Sequence, residues 1–176
     1  NRNGFVVGEG GGALILETEE HALARNATIL AEVAGCASNN DAFHTVAPRD
    51  DGDGARRCMI AAMANANLAP EDIDYINTHG TSTEKGDAVE VMAIHAALGE
   101  RAKQIGISST KSATGHLMGA GGLIEAVACV QAIRTGMLPP TLHYQTPDPL
   151  CDLDVIPNVA RHQGIRTAMS NAFGIG

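Results

Sequence analysis

The chain has 176 residues, a hydrophobic content of 44% and a formal net charge of −8. This length allows one domain with a core, and the composition excludes a disordered chain. The net negative charge is unlike the basic surface of a nucleic-acid-binding protein. No apolar run approaches transmembrane length. Neither nucleic acid nor a membrane is therefore expected as a partner.

Short apolar runs alternate with helical patterns along the first part of the chain. Residues 13–17 and 29–33 read as strands, and Thr18 reads as the N-cap of a helix between them. Residues 39–54 are polar and rich in Gly and Asp, which predicts a long surface loop. Apolar residues at helical spacing in 55–67 predict an amphipathic helix.

The second part of the chain continues the same alternation. Strands are predicted over 73–77, 105–109 and 167–171, and a helix over 86–98. Residues 119–134 are apolar on most sides, so they predict a helix buried in the middle of the molecule. Strands that alternate with helices in this way indicate an α/β fold.

Two histidines occur where a predicted strand turns into a helix. His79 follows the strand over 73–77, and His116 closes the segment 109–116 after the strand over 105–109. In α/β proteins such turns carry the chemistry. Two neutral imidazoles that converge there can donate two hydrogen bonds to one oxyanion. The alternatives are a turn histidine that serves only the backbone and, for His116, a helix-cap or core histidine.

A lysine and two threonines accompany these histidines. Lys111 follows a strand and lies among small residues, so a buried position is one interpretation and a surface lysine the other. If it is buried it needs a carboxylate partner, and Glu90, on the next helix after the His79 turn, is the candidate. Thr81 and Thr83 are two residues apart, so in an extended segment their hydroxyls point the same way.

Other chemistries are disfavoured by the spacing of cysteines and glycines. The cysteines at 36, 58, 129 and 151 form no Cys-x-x-Cys pair and no zinc pattern, which is typical of a reduced, cytoplasmic protein. The glycine-rich segments lack the spacing of a dinucleotide-binding loop. A zinc site at the two histidines lacks a third ligand motif.

The two histidine motifs resemble those of the β-ketoacyl-acyl carrier protein synthases, most of all the elongating (KAS II) bacterial type. Further family motifs are resembled by residues 3–10, 41–44, 151–154 and 171–176, so the resemblance covers nearly the whole chain. It implies a thiolase-like fold with αβαβα layers. Residues 1–176 are then expected to be a domain from the C-terminal half of that duplicated architecture, incomplete at both ends. The nucleophilic cysteine is expected in an N-terminal half upstream of this chain.

The resemblance also implies roles for individual residues. His79 and His116 would hold the malonyl thioester carbonyl, and Thr81 and Thr83 would bond the phosphopantetheine arm. Phe173 would gate the acyl pocket and offer its N–H to an oxyanion hole. Further implied roles are a position at the channel mouth for His44, control of local charge for Lys111 and Glu90, and a monovalent cation site for Asn77, Glu125 and Asn171.

The implied activity of the complete protein is decarboxylative condensation of malonyl-acyl carrier protein with an acyl-enzyme thioester in fatty acid elongation. No cofactor is expected, because phosphopantetheine belongs to the carrier, and a homodimer is expected. This chain alone, without the nucleophile, is expected not to condense. The alternatives are a polyketide ketosynthase domain and a non-catalytic chain-length partner that acts as a dimeric scaffold. The basic residues that could meet an acidic carrier protein are Arg56, Arg57, Arg101, Lys103, Arg161 and Arg166.

Overall fold

Five α-helices and five short strands make up the described part of the chain. The computed structural model describes residues 2–174, so Ile175 and Gly176, the end of the Phe173 motif, lie outside the described residues. The strands are β1 (Tyr75–Asn77), β2 (Gly106–Ser108), β3 (Met137–Leu138), β4 (Arg161–His162) and β5 (Ala168–Ser170). The α-helices are α1 (Glu19–Ala24), α2 (Asp53–Asn65), α3 (Glu84–Leu98), α4 (Lys111–Thr114) and α5 (Gly121–Thr135). Short 3₁₀ segments are found at Pro70–Asp72, Gly99–Gln104 and Met118–Ala120.

A three-stranded parallel sheet, in the order β2-β1-β5, lies at the centre. Ile76 of β1 is opposite Ile107 of β2 on one side and Met169 of β5 on the other. β3 and β4 form a separate antiparallel pair. Parallel strands end at the same edge of a sheet, so the turns that follow β1, β2 and β5 are brought together.

Helices cover both faces of this sheet. Successive residues of β1 face opposite sides: Ile76 packs in a cluster with Met59 of α2 and Ile94 of α3, and Tyr75 packs in a cluster with Cys129 of α5. The predicted α/β arrangement is therefore present as a helix–sheet–helix stack. The helix predicted over 119–134 is present as α5, but the prediction that it is buried in the middle of the molecule is wrong, because α5 buries one stripe only. That stripe consists of Gly121, Glu125, Cys129 and Ala132.

The strands predicted over 13–17 and 29–33 are wrong for this structure. Both segments lack regular secondary structure, and their apolar side chains are exposed, with Ile15 at 82% and Val33 at 71%. A strand exists only where a neighbour accepts its backbone hydrogen bonds, and none of the strands within residues 2–174 pairs with either segment. Between them α1 is present, and the Thr18 side chain caps it by accepting from the His21 N–H at 3.2 Å.

The elements nearest the histidines agree with the predicted pattern. The helix predicted over 86–98 is α3, and it ends at Gly99, whose φ of 58° takes the chain out of the helix. The strand predicted over 73–77 is β1, which leads directly into the His79 turn. None of the helices in the described range is long and apolar enough to cross a bilayer.

Candidate active site

The rings of His79 and His116 lie side by side at the edge of the sheet. His79 comes two residues after β1, and His116 comes two residues after α4, which itself follows β2. The ring centroids are 5.4 Å apart and the ring planes are nearly perpendicular, at 85°. The convergence expected from the two strand-to-helix turns is therefore present.

Backbone hydrogen bonds determine which nitrogen of each ring carries the proton. The Phe173 N–H donates to Nδ1 of His79 at 3.3 Å, and the Met118 N–H donates to Nδ1 of His116 at 3.1 Å. A ring nitrogen that accepts a hydrogen bond carries no proton, so in each neutral imidazole the proton is on Nε2. Within residues 2–174, no group accepts a hydrogen bond from either Nε2–H, so both can donate to a substrate.

The surroundings of the rings keep both imidazoles neutral. Burial, with smaller effects of the Lys111 and His116 charges, lowers the pKa of His79 to about 3. Burial and the positive charge of Lys111 also lower the pKa of His116. At neutral pH the site therefore presents two uncharged donors, which suits an oxygen on which negative charge develops.

Glu90 holds the backbone of the His79 turn. Its two carboxylate oxygens accept from the His79 N–H at 2.9 Å and from the Gly80 N–H at 2.8 Å, and the Asn171 amide donates to it at 3.1 Å. The side chain is buried, and burial raises the pKa of Glu90 to about 7 against the opposing effect of these hydrogen bonds. Glu90 therefore links the turn after β1 to the turn after β5. The prediction that it pairs with Lys111 is wrong.

The partner of Lys111 is Glu125. The Lys111 side chain is 6% exposed and the Glu125 side chain 4%, and the two form a buried ion pair. The tertiary fold selects Glu125 because α5 turns its one buried stripe towards the start of α4. A signal was present in the sequence: a single carboxylate within an apolar helix must have a buried partner.

The residues expected to hold a monovalent cation already have other partners. The Asn77 amide donates to the Thr110 hydroxyl at 3.2 Å, the Asn171 amide donates to Glu90, and Glu125 is paired with Lys111. A cation there would compete with the Lys111 ammonium for one carboxylate. These side chains do not fit a cation, and we assign it no step.

The hydroxyls of Thr81 and Thr83 face each other, but not because the segment is extended. Their oxygens are 3.2 Å apart. Between them Ser82 has a left-handed φ of 61°, and its N–H donates to Asp87 at 3.0 Å. The extended segment on which the prediction depended is therefore absent, and a tight turn that Asp87 stabilises brings the two hydroxyls together.

Phe173 and His44 differ in how they relate to the site. The Phe173 ring lies 5.3 Å from the His79 ring, between centroids, and the proposed role as a gate stays a prediction. Its N–H, however, donates to His79, so the expected oxyanion-hole role of that N–H is not seen. His44 is exposed, and its Nδ1 accepts from the N–H groups of Val46 and Ala47 in its own loop.

Sequence reasoning assigned no role to Phe5, which contacts the second histidine. Its ring centroid lies 4.8 Å from that of His116, in an edge-to-face arrangement. The adjacent Val6 carbonyl accepts from the His116 N–H at 2.7 Å. No local sequence pattern predicts this contact, because Phe5 and His116 are far apart along the chain.

Comparisons with known proteins agree with this geometry. Residues 30–145 match the family described as "Beta-ketoacyl synthase, C-terminal domain". The chain is 50% identical over 175 residues to 3-oxoacyl-[acyl-carrier-protein] synthase 2 of Staphylococcus aureus, covering 99% of this chain and 43% of that protein. The chain therefore belongs to the β-ketoacyl synthase family and spans less than half the length of that curated relative.

Two solved structures show the same fold. The ishigamide ketosynthase/chain length factor matches with a TM-score of 0.94 and 40% identity, covering 99% of this chain and 42% of that one. A type II polyketide ketosynthase, solved with its acyl-carrier protein and bound to a hexaketide, matches with a TM-score of 0.85 and 45% identity, covering 88% of this chain and 38% of that one. The fold is thus the α/β, thiolase-like fold of the ketosynthases.

Proposed function

We propose that the complete protein is a 3-oxoacyl-acyl carrier protein synthase of fatty acid elongation, and that this chain supplies its decarboxylation site. The observation that carries the proposal is the pair of neutral imidazoles, His79 and His116, each with a free Nε2–H and with ring centroids 5.4 Å apart. Two such donors suit the enolate oxygen of a malonyl thioester.

The proposed chemistry breaks one carbon–carbon bond and forms another. In the malonyl thioester, the bond to the carboxylate carbon breaks, carbon dioxide leaves, and the electron pair becomes an enolate held by the two Nε2–H groups. The enolate carbon then attacks an acyl group carried on a cysteine, and the cysteine thiolate leaves. The product is a 3-oxoacyl thioester, and the two imidazoles stay neutral throughout.

The substrate arm is proposed to approach past the threonine pair. Among the described residues, Thr81, Ser82 and Phe5 line a cleft of about 970 Å³, whereas His79, His116 and Thr83 do not line it. The hydroxyls of Thr81 and Thr83 suit the amides of a phosphopantetheine arm carried by an acyl carrier protein. No other cofactor is proposed, because each step of the reaction can proceed with these groups alone. His44 remains a proposed contact at the channel mouth.

The carrier protein itself is a proposed partner. Its support is the solved relative that contains an acyl-carrier protein. Most of the basic residues considered for docking already have partners: Asp53 accepts from Arg56 and Arg57, Asp154 pairs with Arg161, and Arg101 bonds the Ile73 carbonyl. The exposed Arg166 is proposed as one of the charges of the docking surface.

The nucleophile is proposed to come from another part of the complete protein. Burial raises the pKa of Cys129 to about 12, and burial also raises the pKa of Cys151. The Cys58 thiol donates to the Ala37 carbonyl, away from the histidines, and Cys36 is exposed. The environments of Cys129 and Cys151 therefore disfavour a thiolate. We therefore expect this chain alone not to condense acyl groups.

Three further properties belong to the same proposal. Residues 1–176 are proposed to form the C-terminal domain of a protein of the length of its relatives. A cytoplasmic location is supported by four cysteines without a disulfide among them. A homodimer is proposed for the complete protein, and the exposed side chains of Val6 and Leu16, at 80% and 73%, offer apolar surface for assembly.

A polyketide ketosynthase is the second candidate. It is favoured by the 45% identity to the ketosynthase solved with a hexaketide. A chain-length partner is a variant of this candidate, since one solved relative is a ketosynthase/chain length factor. Incubation of the complete protein with malonyl carrier protein and an acyl primer separates these candidates, because mass spectrometry of the product shows one extension, several extensions, or none.

The direct test uses the complete protein and measures carbon dioxide release from malonyl carrier protein. His79→Ala and His116→Ala each remove one Nε2–H donor, and we expect decarboxylation to fall by about 100-fold or more. Acyl transfer to the cysteine is expected to remain measurable in both. His162→Ala, at an exposed histidine of β4, is the matched control and is expected to be unchanged. Normal decarboxylation in both site variants refutes the proposal.

A further inference from the structure

Residues 2–8, which we call the strap, bond to both histidine turns. The Gly4 N–H donates to the Ser82 carbonyl at 2.8 Å, in the turn that contains His79. Two residues later, the Val6 carbonyl accepts from the His116 N–H at 2.7 Å. The Gly8 N–H then donates to the His116 carbonyl at 3.0 Å, which completes a parallel bridge. The strap therefore joins two turns that are distant in sequence.

His116 depends on the strap more than His79 does. Both backbone hydrogen bonds of His116 go to the strap, and the Phe5 ring of the strap packs edge-to-face on its imidazole. By contrast, the His79 N–H is held by Glu90, and its ring accepts from Phe173. Displacement of the strap should therefore move His116 and leave His79 in place.

Arg2 fixes the start of the strap to three other parts of the fold. Its guanidinium donates to the Asp148 carboxylate at 2.6 Å, to the Cys151 sulfur at 2.8 Å and to the Glu84 carbonyl at 3.4 Å. Only 21% of the Arg2 side chain is exposed. A planar guanidinium with several donors is suited to such a junction, because it holds its partners in fixed directions.

Asp87 connects this junction to the threonine turn. One of its oxygens accepts from the Ser82 N–H at 3.0 Å, and the other lies 3.9 Å from Nε of Arg2. Ser82 is thus held at its N–H by Asp87 and at its carbonyl by Gly4 of the strap. The left-handed conformation of Ser82, which brings Thr81 and Thr83 together, is supported from both sides.

We propose that Arg2 is a positioning residue for His116 and that it acts through the strap. It touches neither imidazole. It fixes the strap at residue 2, and the strap holds the backbone of His116 and packs Phe5 on its ring, while the Met118 N–H bonds Nδ1 of that ring. The kinetic consequence rests on the proposed decarboxylation, whereas the structural consequence for the His116 ring does not.

The kinetic test compares Arg2→Met with Arg49→Met in the complete protein. Arg49 also makes a two-pronged pair, with Asp51 at 3.0 and 2.6 Å, but within its own loop. We expect Arg2→Met to lower the turnover number for decarboxylation by about 10- to 100-fold, because small displacements of a reacting group are costly. Acyl transfer depends on the threonine turn but not on His116, so it should fall less than decarboxylation, and Arg49→Met should match the wild type in both. The turnover number of Arg2→Lys should lie between those of the wild type and Arg2→Met, because lysine keeps the positive charge but lacks the planar guanidinium with its several donors.

A second pair of variants tests the strap at its other end. A side chain at Gly8 would overlap with the Thr114 carbonyl oxygen, whereas a side chain at Gly11 meets no atom within 4 Å. Gly8→Ala should therefore reproduce the loss of decarboxylation, and Gly11→Ala should not. Neither Gly8→Ala nor Gly11→Ala changes Arg2. A folding defect specific to Arg2→Met therefore cannot explain a loss of decarboxylation that Gly8→Ala also shows.

The structural test is the NMR spectrum of histidine-labelled complete protein, with ring signals assigned through the His→Ala variants. Arg2→Met and Gly8→Ala should both shift or broaden the His116 ring signals and leave those of His79 in place. The proposal is overturned if the His116 signals are unchanged in both Arg2→Met and Gly8→Ala. It is also overturned if Arg2→Met and Arg49→Met lose the same fraction of the decarboxylation rate. If the wild-type protein releases no carbon dioxide, the proposed function fails, and the His116 spectrum alone then decides the role of the strap.

Discussion

The two histidine turns do the same chemical task on different supports. The His79 turn leaves the central strand of the sheet, directly after Asn77 and Thr78, which are 0% and 6% exposed. The His116 turn lies further out, beside Met118, which is 51% exposed. Core packing and the buried Glu90 carboxylate hold the His79 turn, whereas residues 2–8, which are distant in sequence, hold the His116 turn. One donor of the pair is thus part of the rigid core, and the other can be displaced from the surface.

The largest effect is expected at the ion pair between the two turns. Lys111→Met leaves the Glu125 carboxylate buried without a partner, which should lower the free energy of unfolding by about 3–5 kcal/mol. It also removes a positive charge that lowers the pKa of both imidazoles, so both pKa values should rise. Urea unfolding and NMR titration of the complete protein measure the two effects.

A double variant separates the pair from its surroundings. Lys111→Met with Glu125→Gln removes both charges, and most of the lost stability should return. If the double variant is as unstable as Lys111→Met, the cost arises from packing around Lys111 and not from an unpaired charge.

A smaller effect, confined to the His79 side, is expected from Glu90→Gln. The amide keeps one acceptor oxygen, so one of the His79 and Gly80 N–H groups loses its partner, at a cost of about 1–3 kcal/mol. The His79 ring signals should shift and those of His116 should not. Glu71→Gln, at an exposed acid, is the control for the substitution itself. Equal shifts at both rings contradict the idea that the turns are held separately.

The pH dependence of stability should distinguish the two rings. In the folded chain the pKa of His79 is about 3, while an unfolded histidine titrates near its ordinary value of 6.5. As the pH falls from 6.5 towards 3, the unfolded state takes up a proton that the folded state refuses, so His79 makes stability fall. His79→Gln should flatten this slope, and His162→Gln, at an exposed residue, should not. An unaltered slope in His79→Gln refutes the lowered pKa.

Glu90 contributes to the same curve with the opposite sign. Its pKa rises from 4.5 to about 7 on folding, so the folded state binds the extra proton and stability falls as the pH rises through that range. The slope attributed to His79 must therefore be taken from the difference between wild type and His79→Gln, and not from the wild-type curve alone.

The smallest effect is expected from the aromatic neighbours, and it compares the two turns most directly. Phe5 packs on His116 and Phe173 on His79. Substitution of either by Leu should cost about 0.5–1.5 kcal/mol of aromatic contact. Phe5→Leu should shift only the His116 ring signals and Phe173→Leu only those of His79. If either substitution shifts the signals of both histidine rings, the two rings move as one unit.

Elements whose pattern and partners are close in sequence could be predicted. β1, α3 and the Gly99 helix end follow the predicted spans closely, because apolar period and terminating residues act locally. The segments 13–17 and 29–33 have the same apolar character as β1, yet they are not strands. What separates them from β1 is whether a neighbouring strand is present, and no local pattern contains that information.

The same division applies within the site. The two histidines could be found from their position after strands, whereas the contact between Thr81 and Thr83 depends on a turn at Ser82 that their spacing did not predict. The lone carboxylate of the apolar α5 indicated that Glu125 needs a buried partner, but only packing decides whether Glu90 or Glu125 reaches the Lys111 ammonium. The Phe173 N–H was likewise assigned to a substrate oxygen, when the fold directs it to His79.

The sequence by itself determined the α/β class, the strand-to-helix positions of both imidazoles and the family to which the chain belongs. These depend on residue type and on spacings of a few positions, which act through local backbone geometry. Tertiary structure alone decided the Lys111–Glu125 pair, the tautomer of the His79 ring and the dependence of His116 on residues 2–8. Each of these is a contact between residues far apart in the chain, and its free energy exists only once packing has excluded water and brought the partners within hydrogen-bonding distance.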